Sequence, residues 1–219
     1  MINFEIASRA LPLLLKATGI SLAVWAIAIF IGFTMGTLLG VGQSRGPKPL
    51  RWLIGGYVWL IQGTPMIVQI SFIYYVLPTL GICFSSFWTA AIAIGINSSA
   101  YVSQIIRSGI DAVAKGTIEA AHVLGFSHAQ TIWYVILPQA IRTVLPTLGN
   151  EGTTLIKDTS LASIIGVMEL YKVTIGFINQ TYDVVTLFVM LAIIYLTLTS
   201  GFSLAITLLQ KRMGKHVGH

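Results

Sequence analysis

The sequence predicts an all-α integral membrane protein, formed as one domain with about five transmembrane helices. Of its 219 residues, 55% are hydrophobic and 9% are charged, whereas a typical soluble domain carries roughly 25% charged residues. So few charges cannot solvate a whole surface, and most of the chain must contact lipid or other helices. The sequence shows no alternating segments of about ten residues, so helices rather than barrel strands must satisfy the backbone in lipid.

Five apolar segments are long enough, or nearly so, to cross a bilayer, which takes about 20 residues. They cover residues 19–42, 52–77, 87–106, 141–156 and 184–209. Residues 1–16 mix apolar and charged side chains, which favours an interfacial amphipathic segment ahead of the first span. In that span Gly32, Gly36 and Gly40 fall on one helical face and predict close packing of another helix.

The second segment is interrupted by Gly63-Thr64-Pro65, which predicts a broken or kinked helix. Pro65 removes a backbone donor and frees the carbonyl of Ile61. Such breaks persist in membranes only where protein or an aqueous cavity satisfies the freed group. The break suits two roles equally, shaping the packing or lining a path in which Thr64 takes part.

Polar residues in the third and fourth segments should face inward, because placing them against lipid is costly. The third segment contains a cluster of Asn97, Ser98, Ser99, Tyr101 and Gln104. The fourth contains Glu151 and is followed by Lys157 and Asp158. An ionised Glu151 needs a positive partner, which is either Lys157, six residues on, or a cationic substrate. The third alternative is a protonated Glu151 that only packs.

The distribution of basic residues predicts an outer N-terminus and a cytoplasmic C-terminus. Nine fall on one side of the predicted spans and four on the other. The larger group is Arg45, Lys48, Arg51, Arg107, Lys115, Arg142, Lys211, Arg212 and Lys215; the smaller is Arg9, Lys16, Lys157 and Lys172. An odd number of spans also requires termini on opposite sides. This orientation places the loop of residues 111–138 in the cytoplasm.

That loop is a moderately polar insert between strongly apolar segments. It predicts a short helix over residues 117–124, a break at Gly125, and a second helical run over residues 127–137 that Pro138 interrupts. Two alanines add helix propensity with little bulk, and a glutamate charges the start of the first helix, so this helix can lie closely against another protein. The residues assigned to this contact are Glu119, Ala120, Ala121, Gly125, Leu137 and Pro138.

Four stretches, in order, resemble the membrane subunits of ATP-binding-cassette (ABC) importers of the polar amino acid branch. They are Gly63-Thr64-Pro65, Ala100-Tyr101 to Arg107-Ser108-Gly109-Ile110, Glu119-Ala120-Ala121 with Gly125 and Val135-Ile136-Leu137-Pro138, and Lys157-Asp158-Thr159-Ser160-Leu161. The resemblance covers nearly the whole chain. It implies the type I importer permease architecture, in which the 111–138 loop forms a coupling helix that docks into a groove of the cytoplasmic ATPase.

The resemblance also implies the partners and the compartment. The partners are a cytoplasmic ATPase dimer, a second permease subunit that is the same or a related chain, and an extracytoplasmic solute-binding protein. The compartment is the bacterial plasma (inner) membrane. The chain would then form half of a pathway for a polar amino acid, lined by Thr64, Asn97, Glu151, Lys157 and Asp158. A glutamate at position 151 is compatible with arginine, lysine, ornithine or histidine.

The sequence departs from that family at two positions. Gln62 stands where the family usually has arginine, and Gln104 where it commonly has glutamate. A charged role is therefore not inherited at either position.

Other function classes lack their signatures. The sequence contains no phosphate-binding loop, nucleophile elbow or metal-ligand set, so we expect no enzyme, catalytic residue, metal or cofactor. The net charge of +6 is spread over short loops and does not predict nucleic-acid binding. The remaining alternative is a self-sufficient secondary transporter or channel. The buried polar residues favour it, but such a carrier has no need of a two-helix docking loop.

Overall fold

The computed structural model describes residues 2–214, and within this range all regular secondary structure is helical. The all-α architecture predicted from the sequence is confirmed. The α-helices are α1 (Phe4–Arg45), α2 (Lys48–Gln62), α3 (Met66–Tyr75), α4 (Ser86–Asp111), α5 (Lys115–Val123), α6 (His128–Gln130), α7 (Leu137–Asp158), α8 (Leu170–Thr181) and α9 (Val184–Gly214). Short 3-10 segments cover Leu77–Leu80 and Thr159–Ile165, and a π-helix covers Thr131–Ile136.

Three of the described helices, α1, α4 and α9, are each long and apolar enough to cross a membrane. Two further apolar units are bent pairs. Residues 48–62 and 66–80 meet at 98°, and residues 128–165 and 170–181 meet at 55°. When each bent pair is counted as one span, the described residues contain up to five candidate spans. Lys215, which contributed to the predicted basic C-terminus, lies outside the described residues.

The N-terminal residues, for which the sequence predicts an interfacial amphipathic segment, join the first predicted span without a break. They are the first turns of α1, which continues without a break from Phe4 to Arg45. Asn3 caps the helix by accepting hydrogen bonds from the backbone of Glu5 and Ile6. The charged side chains are exposed there, whereas Ala10 and Leu14 are fully buried in a cluster with residues of α8 and α9. The segment therefore packs against protein through Ala10 and Leu14, whereas Phe4, Leu11 and Leu13 stay exposed.

Pro138 does not interrupt its helix, and that prediction is wrong. The six residues before Leu137 form the π-helix, and the Leu137 N–H bonds to the Ile132 carbonyl, five residues back. The wider turn accommodates a residue that has no N–H to donate, and the chain passes directly into α7. The second helix of the 111–138 loop and the fourth predicted span are thus one helical rod.

The contact between α1 and α4 is central to the bundle. Gly32, Gly36 and Gly40 are buried in α1, facing α4. A Cβ at these positions would lie 2.6–2.9 Å from the nearest Cβ of Ser98, Val102 or Ile106. Glycine is therefore what allows the two backbones to approach this closely. Helix α4 also contacts α2, α3 and α7, which carry polar residues described next.

Candidate transport pathway and coupling surface

The break between α2 and α3 is held by one glutamine. Gln69 Nε2 donates to the Ile61 carbonyl at 2.8 Å, to the Thr64 carbonyl at 3.1 Å and to Thr64 Oγ1 at 2.7 Å. The carbonyl that Pro65 frees is thus satisfied by protein, one of the two possibilities open from the sequence. Sequence reasoning missed Gln69. The signal was present, because it is a polar residue within an otherwise apolar run.

Gln69 also connects the break to the third predicted span. Its Oε1 accepts a hydrogen bond from Asn97 Nδ2 at 3.0 Å. Asn97 is buried, at 4% exposure, so this bond fixes which way its amide points. Next to Asn97 on α4, the Tyr57 hydroxyl lies 2.6 Å from Ser99 Oγ and donates to the Ile96 carbonyl at 2.9 Å. Both halves of the broken helix, α2 through Tyr57 and α3 through Gln69, are therefore hydrogen-bonded to the polar face of α4.

A cavity of about 530 Å³ opens where the break, α4 and α7 meet. Its lining includes four of the five residues assigned to a pathway from the sequence: Thr64, Asn97, Glu151 and Asp158. The exposed Tyr101 and Thr154 also line it. Lys157, the fifth, is exposed and lies outside the lining. Gln104 is turned the other way, where its Nε2 donates to Gln43 of α1 at 2.6 Å.

The cavity is acidic. Glu151 and Asp158 are both half-buried, and Glu151 Oε1 accepts a hydrogen bond from Ser98 Oγ at 2.8 Å. Among the described side chains, the ion pairs within 4.0 Å are Arg9–Glu5 and Arg107–Asp111. The internal pair between Glu151 and Lys157 that the sequence left open is therefore not formed. Two carboxylates face a cavity whose lining contains no basic side chain.

The loop after α4 forms the expected helix, break and second helix. Helix α5 begins at Lys115, two residues before the predicted start, and Gly125 has φ +80°. A positive φ is accessible to glycine at little cost, and the backbone bond from Phe126 N–H to the Ala121 carbonyl, at 3.1 Å, closes the turn. Ser127 then caps the next helix in a reciprocal capping box with Gln130.

The outward face of this loop differs from the predicted one. Glu119, Ala120 and Pro138 are exposed. Ala121 and Leu137 are only 4% and 6% exposed, because they pack inside the chain, so these two cannot contact a partner directly. Sequence reasoning missed two exposed apolar residues at the tip, Val123 at 87% and Leu124 at 76%. Their signal was an apolar pair just before the glycine turn of a polar loop.

A helical membrane subunit with a broken helix beside a polar cavity, and with a two-helix projection at one end, is the architecture of a type I ABC importer permease. Residues 28–215 match the family of binding-protein-dependent transport system inner membrane components. A probable amino-acid ABC transporter permease of Bacillus subtilis, YckA, is 34% identical over 98% of this chain and 95% of its own length. The chain therefore belongs to this family.

Other relatives and solved structures agree with this assignment. The glutamine transport system permease GlnP of Escherichia coli is 35% identical, over 93% of this chain and 94% of its own. The arginine transport system permease ArtQ of Bacillus subtilis is 31% identical, over 90% of each chain. A crystal structure of an amino acid ABC transporter with histidines superposes with a TM-score of 0.87, at 35% identity and over 97% of this chain and 99% of that one. The MetNI methionine ABC transporter, at 17% identity and a TM-score of 0.76 over 94% of this chain and 97% of its own, shares the fold. The resemblance to amino acid importer permeases predicted from the sequence is confirmed.

Proposed function

We propose that the chain is one half of the translocation pathway of an ATP-driven importer for cationic amino acids. The observation that carries the proposal is the cavity in which Glu151 and Asp158 stand without a basic neighbour in the lining. Relatives named for amino acids, including arginine and glutamine, support the general class of substrate. Membership of a binding-protein-dependent family favours an importer subunit over a self-sufficient carrier.

The charge of the cavity is the reason for preferring a cationic substrate. A partly buried carboxylate loses hydration, and an opposite charge must repay that cost. Two unit charges about 4 Å apart attract by about 4 kcal/mol at the effective dielectric of a protein surface. An amino acid with a basic side chain brings two cationic groups and one carboxylate, so it leaves the occupied cavity closer to neutral than glutamine does.

The same proposal includes orientation and partners. The N-terminus lies outside and the C-terminus in the cytoplasm, since nine of thirteen basic residues fall on that side. The α5 loop then faces the cytoplasm. Its exposed Glu119, Ala120, Val123 and Leu124 form a small apolar tip with a charge beside it, suited to a groove on the ATPase dimer. A second permease subunit completes the pathway, and a solute-binding protein delivers substrate from outside.

The test is substrate selectivity in proteoliposomes that contain the complete importer. Glu151→Gln and Asp158→Asn keep the shape of the cavity and remove one charge each. We expect each variant to reduce arginine uptake at least about tenfold, the equivalent of about 1.4 kcal/mol, with glutamine uptake and basal ATP hydrolysis unchanged. Glu5→Gln is the matched control, because Glu5 is an exposed carboxylate that pairs with Arg9 far from the cavity. Equal loss of both substrates, or no loss, would overturn the cationic assignment.

A further inference from the structure

A second, smaller cavity lies where the neighbouring ends of α1, α2 and α4 converge. Its volume is about 290 Å³, and its lining is Gln43, Lys48, Arg51, Trp52 and Arg107. Gln43 is close to the C-terminus of α1, Lys48 is the first residue of α2, and Arg107 lies in the last turns of α4. The transport cavity has a different lining, with no residue in common.

The polar groups of this cavity are almost all donors. Lys48, Arg51 and Arg107 supply three cations. Lys48 and Arg51 have no carboxylate within 4.0 Å among the described side chains, and Arg107 contacts Asp111 only at 3.6 Å through Nε. Three like charges around one small space repel each other, and an anion between them removes that cost.

The inner wall supplies a further donor. Gln43 is 8% exposed, and its Oε1 is already occupied by the donor from Gln104 at 2.6 Å. Gln43 lines the cavity, and its remaining polar atom, Nε2, can only donate. It therefore adds a neutral donor to the three cations.

The surroundings decide between a dissolved anion and a lipid. Trp52, on the rim, is 86% exposed, and Leu53 beside it is 74% exposed. A dissolved anion makes no use of two large apolar side chains. A phospholipid can contact both the donors and the apolar side chains. Its phosphate accepts hydrogen bonds from the donors, while its glycerol and acyl region lies on Trp52 and Leu53. Tryptophan is also enriched at the level of lipid headgroups.

We propose that this cavity binds the headgroup phosphate of an anionic phospholipid and so fixes the ends of α1, α2 and α4 relative to one another. The site is independent of the amino acid substrate. Basic pockets between helices at a membrane surface hold anionic headgroups through the same combination of cations and neutral donors. The lipid therefore acts as a structural ligand of the bundle.

The experiment compares the complete importer in two kinds of nanodisc, one of phosphatidylcholine alone and one that also contains phosphatidylglycerol at about one lipid in four. The thermal unfolding midpoint and the phosphatidylglycerol retained after purification, counted by mass spectrometry, are the readouts. We expect phosphatidylglycerol to raise the midpoint of the native importer by a few degrees. The double variant Lys48→Gln, Arg51→Gln should lose most of that rise and most of the retained lipid.

The matched control is Lys211→Gln, Arg212→Gln, which removes two exposed cations near the end of α9 that do not line the cavity. The unfolding midpoint of this control should still rise with phosphatidylglycerol. Equal loss in both double variants would mean diffuse surface attraction and would overturn the proposal. A rise produced equally by inorganic phosphate in phosphatidylcholine discs would assign the cavity to a dissolved anion instead. The cations would be assigned to a protein contact if the Lys48→Gln, Arg51→Gln variant lost the ATPase and the unfolding midpoint of the native importer did not depend on phosphatidylglycerol.

Discussion

Adding one methyl group at Gly36 tests whether the α1–α4 contact depends on glycine. A Cβ on Gly36 would lie 2.6 Å from Val102 Cβ and 2.9 Å from the Ser99 carbonyl oxygen, whereas carbon atoms in contact normally lie about 3.5–4.0 Å apart. Neither neighbouring atom can rotate away, since one is a Cβ and the other is backbone. The two helices would have to separate by roughly 1 Å.

The magnitude follows from two opposing effects. Overpacking of this kind costs about 1–3 kcal/mol, while replacing a helical glycine with alanine returns about 0.5–1 kcal/mol. The net loss for Gly36→Ala is therefore on the order of 1–2 kcal/mol, which lowers the unfolding midpoint of a chain of this size by roughly 2–8 °C. Gly36→Leu should go further and lower the amount of assembled complex, because the larger side chain cannot fit at all.

Gly19 provides the control within the same helix. A Cβ there has no neighbour within 4 Å, so Gly19→Ala should unfold at the native temperature or slightly above it. The measurement is thermal unfolding of the purified importer, followed by circular dichroism at 222 nm, the usual helix signal. If the Gly36 and Gly19 alanine variants unfold at the same temperature, the reasoning is refuted. Normal assembly of Gly36→Leu with loss of transport would instead indicate that Gly36 lines the path.

Two further predictions concern the pathway and the coupling loop. Gln69→Leu leaves the Ile61 carbonyl with only a long hydrogen bond from Thr64 Oγ1, at 3.5 Å, and releases Asn97. We therefore expect the KM for the transported amino acid to rise several-fold and the unfolding midpoint to fall. Transport kinetics that match the native protein would show that Asn97 is held without this bond. Gly125→Val forces a β-branched residue to φ +80°, and Glu119→Lys reverses the exposed charge of α5; either should weaken ATPase retention or uncouple hydrolysis from uptake. Co-purification of the ATPase and transport-coupled hydrolysis, both unchanged in these variants, would exclude the coupling role.

The helices were predictable because their signals are local. Long apolar segments, the Gly63-Thr64-Pro65 break and the Gly125 turn each depend on residues that are neighbours in sequence. The start of α1 was not predictable in this way. Ala10 and Leu14 are covered by residues of α8 and α9 that are far away in the chain, so the sequence shows an amphipathic segment but not what it packs against. The prediction that Pro138 interrupts the helix also failed, because the π-helix before it has no distinctive composition.

The candidate cavity was largely predictable from the sequence. The cost of polar groups in lipid pointed to Asn97 and Glu151, the helix break pointed to Thr64, and the stretch after the fourth span that resembles the family contained Asp158. The argument from polar groups would also have found Gln69 had it been applied to α3. No local signal pointed to the role of Glu169, which lies between the fourth and fifth predicted spans. Glu169 is fully buried and accepts hydrogen bonds from the backbone N–H groups of Tyr171 and Lys172 at the start of α8. Its burial depends on how distant helices meet, which no local pattern records.

The cavity also bears on the second permease subunit of the proposed function. The break, α4 and α7 supply the lining, and Tyr101, although it points into the cavity from α4, is still 41% exposed. A polar path open on one side cannot cross a bilayer unless other protein covers that side. Because this chain already places both Glu151 and Asp158 in its own half, a partner that is a second copy creates two acidic sites related by symmetry, each within one subunit. A related but different partner retains one such site, so the number of cationic substrates bound per importer distinguishes the two assemblies.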